Sequence, residues 1–175
     1  LITAIINSGL YDSCAEIRCG VLNDLGQIDG NRNLLADYPK FKIIYVGRCH
    51  EYERPTLLHM RQYSEIDGPN TKYFYVHTKG LRWFGTSSEP FVLDWIKLLI
   101  YWNLEKWRDA VIALDNHDMY GCNYYKRDQH NPSHYSGNFF WVSQQYLKTI
   151  PSGIGGGYND PEFWLCSNDS HTYYN

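Results

Sequence analysis

The stretch Lys72-Tyr73-Phe74-Tyr75-Val76-His77-Thr78-Lys79-Gly80 decides the fold. It opens with a run of aromatic and β-branched residues that is too short to span a membrane and apolar enough to be buried on both faces, which is typical of a strand inside a sheet. The run then ends in a polar cluster closed by a glycine. Ligands bind at the carboxyl ends of strands in an open α/β sheet, so the stretch predicts a central strand that leads into a site. Thr-Lys-Gly is also ordinary turn chemistry, which is the alternative interpretation.

The flanking segments alternate between strand and helix patterns. Strands are predicted at residues 1–7, 20–22, 41–46, 73–77, 120–125 and 139–142. Helices are predicted through residues 14–16, capped by Asp12 or Ser13, and then at 53–65, at 89–116 with a break near Asn103, at 143–149 and from 158 onward. Helix between strands, repeated, indicates an α/β sheet. We expect one sheet to contain residues 1–7, 41–46, 73–77, 120–123 and 139–142.

Composition limits the function classes. At 175 residues, with 43% hydrophobic and 20% charged residues, the chain is expected to form one soluble globular domain over residues 1–175. A net charge of −3 and the lack of a lysine- or arginine-rich run argue against a nucleic-acid partner. The aromatic content of 17% includes 16 Tyr and 6 Trp. Aromatic faces stack on sugar rings, although such rings also fill protein cores.

Cysteine usage and hydropathy bear on the location of the protein. The five cysteines are scattered and include no Cys-x-x-Cys pair, which argues against a disulfide framework and a zinc site and favours a reducing, cytoplasmic compartment. The apolar start, residues 1–6, is too short for a signal peptide core or a membrane span, and no other window reaches spanning length. The chain starts without Met, which leaves an upstream anchor open.

Three polar clusters join buried aromatic elements, at residues 77–80, 134–138 and 160–162. Ser136 does not lie in the Gly-x-Ser-x-Gly motif of serine hydrolases, and no His-Glu-x-x-His zinc-protease motif occurs. Neither a Gly-x-Gly-x-x-Gly nor a Walker lysine motif follows the first predicted strand. Asp160 and Glu162, two residues apart at a helix start, need not flank one bond as glycosidase carboxylates do. The chemistry that fits is a carboxylate base, donors for a leaving diphosphate and aromatic walls.

Four blocks of sequence resemble a known group of proteins. They are Glu53-Arg54-Pro55-Thr56-Leu57-Leu58, Tyr75-Val76-His77-Thr78-Lys79-Gly80, Ser136-Gly137-Asn138-Phe139-Phe140-Trp141 and Glu162-Phe163-Trp164. In this order they are similar to the E-x-P-T-L, Y-x-H-T-K-G, S-G-N-F-W-W and E-F-W blocks of bacterial and giant-virus glycosyltransferase-like proteins. The resemblance covers residues 8–165, with Phe140 where a Trp is common. It implies a GT-A-like single domain with a mixed, mostly parallel sheet and a crevice for a nucleotide sugar.

The predicted donor site consists of polar or glycine segments that follow predicted strands or open a helix. We expect one crevice to be lined by Asn7, Ser8, Gly9, Tyr11, Thr56, His77, Thr78, Lys79 and Gly80.

The sequence departs from the GT-A pattern in one respect, the residues that bind a metal ion. Most GT-A enzymes end the central strand in Asp-x-Asp, whose carboxylates hold Mn²⁺ or Mg²⁺, whereas here the strand ends in His77-Thr78-Lys79. Hard divalent ions prefer oxygen ligands, so we predict no metal ligand at this strand. Lys79 is expected to neutralise the departing diphosphate directly. Asp115 and Asp118 are alternative carboxylates, although their place at a helix end favours a cap or turn, and His171 is a further residue that could reach a diphosphate.

The acceptor side is expected to supply the catalytic base. Inverting GT-A enzymes commonly place this base at the start of a helix after the acceptor-side strand, where Asp160 and Glu162 stand. Because Asp160 precedes Pro161, we expect Asp160 to cap the helix and Glu162 to be the base, with the loop at 153–157 able to cover substrate. Acceptor-binding residues are expected to be His134, Ser136, Gly137, Asn138, Trp141 and Trp164. The aromatic members of this set have an equally simple interpretation as core residues.

The sequence thus predicts a glycosyltransferase that moves a sugar from a nucleotide donor to a glycan or other hydroxyl acceptor. Two rival hypotheses remain: a catalytically silent carbohydrate-binding domain, and a nucleotide-binding domain whose substrate is not a sugar.

Overall fold

The computed structural model, which describes residues 1–25 and 28–175, distributes eight strands over three sheets. Strands β1 (Ile17–Leu22) and β2 (Phe41–Gly47) form a parallel pair. The larger sheet has the order β3-β7-β4-β8, and its members are β3 (Lys72–Tyr75), β4 (Met119–Gly121), β7 (Phe140–Ser143) and β8 (Tyr173–Tyr174). A short antiparallel hairpin joins β5 (Tyr124–Tyr125) to β6 (His134–Tyr135). The fold is therefore α/β.

The single, mostly parallel sheet that we expected is wrong. In the larger sheet β7 runs antiparallel to both β3 and β4, and only β4 and β8 are parallel. The parallel pair of β1 and β2 is a separate sheet. The predicted central strand, β3, lies at one edge of the larger sheet, while β7 has neighbours on both sides. An apolar run does not distinguish these positions, because packing from other elements can bury an edge strand as well as a central one.

Eight α-helices occur in the described residues. They are α1 (Ile2–Asn7), α2 (Leu10–Ser13), α3 (Asp29–Leu35), α4 (Arg54–Tyr63), α5 (Glu89–Ile100), α6 (Trp107–Ala113), α7 (Gln144–Leu147) and α8 (Asp160–Trp164). A π-helical turn, Tyr101–Glu105, separates α5 from α6, so the predicted break near Asn103 is confirmed. The proline in the first turn is confirmed for α4 and α8. Within this part of the chain, no helix combines the length and apolar character needed to cross a bilayer.

Residues 1–7 form a helix, and the strand predicted there is wrong. Ile5 and Leu10 are buried in a cluster that also contains Leu104 of the π-helical turn and Ala110 of α6. The indole of Trp107 donates a hydrogen bond of 3.1 Å to the carbonyl of Ser8. This packing overrides the β propensity of the isoleucines, since strand propensity depends strongly on context.

The predicted helix through residues 14–16 is also wrong. Gly9 has a φ of 75°, and α2 begins directly after it. The helix ends at Ser13, and Cys14 already has extended backbone angles. Neither Asp12 nor Ser13 caps the helix, because both lie inside it.

Strand β7 joins the two main hydrophobic clusters. Phe140 and Val142 point into a cluster with Leu57 and Met60 of α4, while Trp141 points into the cluster beneath α6. Phe140, Trp141 and Val142 are each at most 4% exposed. Because alternate side chains of a strand face opposite sides, this strand is buried on both faces.

Asp67 fastens the small sheet to the large one. Its carboxylate accepts two hydrogen bonds from the guanidinium of Arg18 in β1, of 2.7 and 3.0 Å, and a third of 2.7 Å from the hydroxyl of Tyr73 in β3. The backbone carbonyl of Asp67 accepts a 2.7 Å bond from the amide of Gln144 in α7. The guanidinium of Arg18 also lies 3.6 Å from the ring centre of Tyr63. Between the two sheets remains a cleft of about 1440 Å³.

We expect Asp67→Asn to destabilise the fold by roughly 2 kcal/mol, because the guanidinium loses a half-buried, doubly hydrogen-bonded anion. The hydrogen bonds from Arg18 hold the pKa of Asp67 below its usual value. A carboxyl with a lowered pKa in the folded state stabilises above the unfolded pKa of about 3.9 and loses this contribution as the pH falls through its folded pKa. Urea unfolding at pH 7 and at pH 3 should therefore show a smaller difference between wild type and variant at pH 3.

The matched control is Asp94→Asn. Asp94 pairs with Lys97 at 3.5 Å on the surface of α5, where both side chains are more than three-quarters exposed. This variant should stay within about 0.5 kcal/mol of wild type at both pH values. An equal loss in the two variants would show that the Asp67 contacts do not hold the sheets together.

Candidate functional site

Glu53 and His77 form a half-buried pair at the edge of the cleft. Glu53 directly precedes α4, and His77 follows β3. Nδ1 of His77 lies 3.0 Å from Oε1 of Glu53, and their side chains are only 17% and 22% exposed. Nε2 of His77 lies 3.2 Å from the carbonyl oxygen of Gly137. Both ring nitrogens therefore face oxygen atoms.

The hydrogen bonds determine where the protons lie. A carbonyl only accepts, so Nε2 carries a hydrogen, and the contact between Nδ1 and the Glu53 carboxyl then contains one shared proton. Burial, with the nearby charge of Lys79, lowers the pKa of His77 to about 4. Burial raises the pKa of Glu53. Both directions move the shared proton toward Glu53.

Asn138 and Tyr75 hold the carboxyl group of Glu53 in place. The side-chain amide of Asn138 donates to Oε2 of Glu53, and the hydroxyl of Tyr75 bonds to the same carboxyl group. Asn138 is only 2% exposed and has a φ of 55°, a left-handed conformation that asparagine adopts more readily than most residues. The orientation of Glu53 is therefore fixed by buried groups on β3 and on the turn before β7.

The peptide groups of Gly137 link this pair to α8. Its carbonyl faces His77, and its N–H donates a 2.6 Å hydrogen bond to Oε1 of Glu162. Gly137 has a φ of 97°, and a Cβ there would lie 2.8 Å from the side chain of Leu99. A larger residue would therefore strain the backbone and displace α5. Gly137 thus brings Glu162 to the same network as Glu53 and His77.

Lys79 places a cation beside the network. Gly80, with a φ of 72°, turns the chain so closely against α5 that a Cβ would lie 2.3 Å from Val92. The ammonium of Lys79 lies 4.7 Å from the ring centre of Trp95. None of the ion pairs within residues 1–25 and 28–175 involves Lys79. This cation is therefore available to an anionic ligand in the cleft.

Arg54 and Asp160 hold the glycine-rich loop at 153–157. The guanidinium of Arg54 donates to the carbonyl of Gly155 at 2.8 Å and to that of Gly157. Asp160 accepts a 2.7 Å hydrogen bond from the N–H of Gly157. Asp160 is the first residue of α8, and Asn159 occupies the cap position. Asp160 thus stabilises the loop before the helix.

The structure separates the predicted donor residues into two groups. Thr56 and residues 77–80 line the cleft together with Glu53. Asn7, Ser8, Gly9 and Tyr11 do not line it, although Leu10 does. Tyr11 stacks on Phe41 with 5.8 Å between ring centres, so this segment packs around the start of β2.

Most of the predicted acceptor residues pack into the protein interior. Trp141 and Trp164 are each 4% exposed, and their indole N–H groups donate to the carbonyls of Asn103 and Pro151 at 2.7 and 2.9 Å. His134 stacks on Tyr125 at 5.2 Å, and the backbone N–H of Ser136 donates to a turn carbonyl. Of the predicted acceptor and catalytic residues, the structure brings Gly137, Asn138, Glu162 and Lys79 to the pair of Glu53 and His77.

Sequence reasoning gave no role to Glu53 or Tyr75. Glu53 precedes a helix with Pro55 in its first turn, and a carboxylate at that place has a sufficient explanation as a helix-terminal charge. The signal that could have identified it is its position at the start of one of the four motif blocks. The sequence identifies Tyr75 only as a strand residue, because the contact of its hydroxyl with Glu53 depends on the fold.

No group of three or more histidine, cysteine, aspartate or glutamate side chains within the described residues is arranged to hold a metal ion. No protein-family model matches the chain, and comparison with curated proteins and with solved structures gives no match either. The function is therefore argued from the geometry of the site.

We expect His77 to stay neutral between pH 8 and pH 5, because its pKa is lowered to about 4, whereas an ordinary imidazole titrates near 6.5. Nitrogen chemical shifts of the ring, assigned with a His77→Gln variant, should show the Nε2–H tautomer throughout this range. In Glu53→Gln the shared proton is lost, so the Nδ1 shift should change while the Nε2–H signal remains. A ring that becomes charged near pH 6.5 would contradict this assignment.

Proposed function

We propose that the chain is a glycosyltransferase with a GT-A-like fold, which transfers a sugar from a nucleoside diphosphate donor to a hydroxyl group. The observation that carries the proposal is the meeting of the four motif blocks at one place. Glu53, His77, Gly137 and Glu162, one from each block, are joined by consecutive hydrogen bonds. Residues that are far apart in sequence and form one network beside a deep cleft are typical of an active site.

Glu162 is the base in this mechanism. The acceptor hydroxyl attacks the anomeric carbon, the bond between that carbon and the diphosphate oxygen breaks, and the hydroxyl proton passes to the carboxylate of Glu162. Glu162 uses Oε1 to accept the N–H of Gly137, which orients its second oxygen. Glu53 is less suited to this role, because its two carboxyl oxygens already contact His77 and the side-chain amide of Asn138.

Lys79 receives the negative charge of the leaving diphosphate. Its ammonium lies over the face of Trp95 and takes part in no ion pair of the described residues, so its charge can pair with an anion in the cleft. A cation fixed in advance where charge develops lowers the barrier, because no reorganisation is needed during the reaction. Because Glu53 and His77 share one proton, the pair carries no net charge that would repel the diphosphate of the donor.

We expect Glu162→Gln to lose about 10²- to 10⁴-fold in transfer rate, because it removes the base. The glutamine oxygen can still accept the N–H of Gly137, so folding stability should stay near that of wild type. The rate is measured with a panel of UDP, GDP and TDP sugars and sugar acceptors, and stability by urea unfolding.

Asp160→Asn is the matched control for this variant. Asp160 lies in the same helix and accepts a loop N–H, so its replacement should lower stability by about 1 kcal/mol and leave most of the turnover. Full activity of Glu162→Gln would rule out the assigned base. Tight binding of sugar-free nucleotides without any sugar transfer would favour a nucleotide-binding domain, and carbohydrate binding without turnover a silent binding domain.

We expect Lys79→Gln to weaken nucleotide-sugar binding by roughly 10- to 100-fold, because one charge-assisted hydrogen bond to the diphosphate is lost. Lys97→Gln, on the exposed surface of α5, is the control and should bind as wild type does. Transfer should also continue in EDTA, since Lys79 would supply the positive charge that a metal ion supplies in most GT-A enzymes. Complete loss of turnover in EDTA that Mn²⁺ restores would contradict this role.

A further inference from the structure

Three exposed aromatic side chains lie along the mouth of the cleft, and we call Tyr52, Trp83 and Tyr158 the aromatic rim. They are 48%, 39% and 62% exposed, whereas most aromatic side chains close to the site are buried. Each comes from a different segment: the turn after β2, the turn after Gly80 and the loop before α8. Three separate segments thus present rings to solvent at one place.

Contacts among its members fix the geometry of the aromatic rim. The rings of Tyr52 and Tyr158 meet edge to face, with centres 5.5 Å apart and planes at 85°. The guanidinium of Arg82 lies 4.8 Å from the ring centre of Trp83 and 5.9 Å from that of Tyr158. Tyr52 has a φ of 51°, which is uncommon for a residue of this size. The rings are therefore held in a set arrangement.

The rim lines the same cleft as Glu53, His77 and Lys79. Tyr52 is the neighbour of Glu53 in the chain, Trp83 follows Lys79 by one turn, and Tyr158 precedes Glu162 by a few residues. A ring-shaped ligand that stacks on the aromatic rim therefore lies in the same cleft as Glu53 and Lys79.

The acceptor in the proposed reaction needs an aromatic surface that the interior tryptophans do not offer. Trp141 and Trp164 are nearly fully buried and bonded to backbone carbonyls, so neither has a free face for a sugar. The rings of the rim are at least 39% exposed and, in the tyrosines, carry hydroxyl groups at their edges. A sugar ring offers C–H groups on its faces and hydroxyls around its edge, which matches this surface.

The perpendicular rings favour a sugar over a nucleobase. A flat base gains most when aromatic planes are parallel to it. The planes of Tyr52 and Tyr158 are instead nearly perpendicular. A sugar ring that stacks on the face of one tyrosine directs its hydroxyl groups toward the other. Arg82 adds donor groups beside Trp83, and none of the ion pairs within the described residues involves Arg82.

We propose that the aromatic rim is the binding site for a carbohydrate acceptor, an oligosaccharide whose terminal sugar stacks on Tyr52, Trp83 and Tyr158. This inference rests on the proposed function, since it assigns the acceptor class to the same cleft. Acceptor binding depends on these rings, whereas hydrolysis of the donor by water does not.

The test measures carbohydrate binding and donor hydrolysis separately. Binding of cellotriose, maltotriose, mannotriose and chitotriose is followed by calorimetry and by NMR, in the absence of donor. Tyr158→Ala and Trp83→Ala should each weaken the binding of the preferred trisaccharide at least 10-fold. Donor hydrolysis is measured on the same variants, and the loss of trisaccharide binding should exceed any change in hydrolysis. Phe91→Ala removes a ring on α5 that is 78% exposed and away from the cleft, and it should bind as wild type does.

The outcomes are distinct. Unchanged trisaccharide binding in the rim variants, or no trisaccharide binding by the wild type, overturns the inference. Weakened binding of UDP or GDP with intact trisaccharide binding also overturns it, because the rim would then hold the nucleobase. Rim-dependent trisaccharide binding without any donor turnover supports the binding site and contradicts the glycosyltransferase, so the two proposals fail separately. Unfolding curves that match wild type show that the variants are folded.

Discussion

The hydrogen bonds to Asp67 determine the shape of the molecule, because they join two sheets that share no strand. Arg18 comes from the small sheet, and Tyr73 comes from the edge of the large one. The sheets meet at the end where the chain enters β3, and a cleft remains between them. At the other end of β3 the chain delivers His77 to the cleft wall. The Asp67 contacts at the start of β3 thus leave the other end of this strand, and with it His77, at the cleft.

The site combines neutral and charged groups in an order that suits a negatively charged ligand. Glu53 and His77 share a proton, and the charges that act on this pair are those of Lys79 and Glu162. Buried hydrogen bonds from Asn138 and Tyr75 hold the neutral pair still. The cleft thus presents the ammonium of Lys79 beside the pair of Glu53 and His77.

Local sequence patterns predicted the elements that depend on local chemistry. The apolar run of β2 and the proline-started helix α4 are such elements, since turn residues and side-chain periodicity specify them directly. Residues 1–7 were mispredicted because the burial of Ile5 against α6 is a tertiary contact. Sheet order was mispredicted for the same reason, as the apolar run of β3 suits an edge or a centre equally well.

The candidate site was predictable only in part. His77, Lys79 and Glu162 could be named because polar residues that end a strand or open a helix are recognisable in sequence. Glu53 could not be given a role, since its meaning lies in a 3.0 Å contact with a ring from another element. Trp141 and Trp164 illustrate the opposite error, because composition does not tell an indole that stacks on a ligand from one that bonds to a backbone carbonyl.

The adjacency of Glu53 and Arg54 has a mechanical consequence. The guanidinium of Arg54 donates hydrogen bonds to the carbonyls of Gly155 and Gly157. The preceding residue, Glu53, contacts His77 and Asn138 through its carboxyl group. The start of α4 therefore connects the glycine-rich loop with the pair of Glu53 and His77 through one peptide bond. A molecule that displaced the loop would break the hydrogen bonds of Arg54, so the loop and the pair of Glu53 and His77 depend on the same short backbone segment.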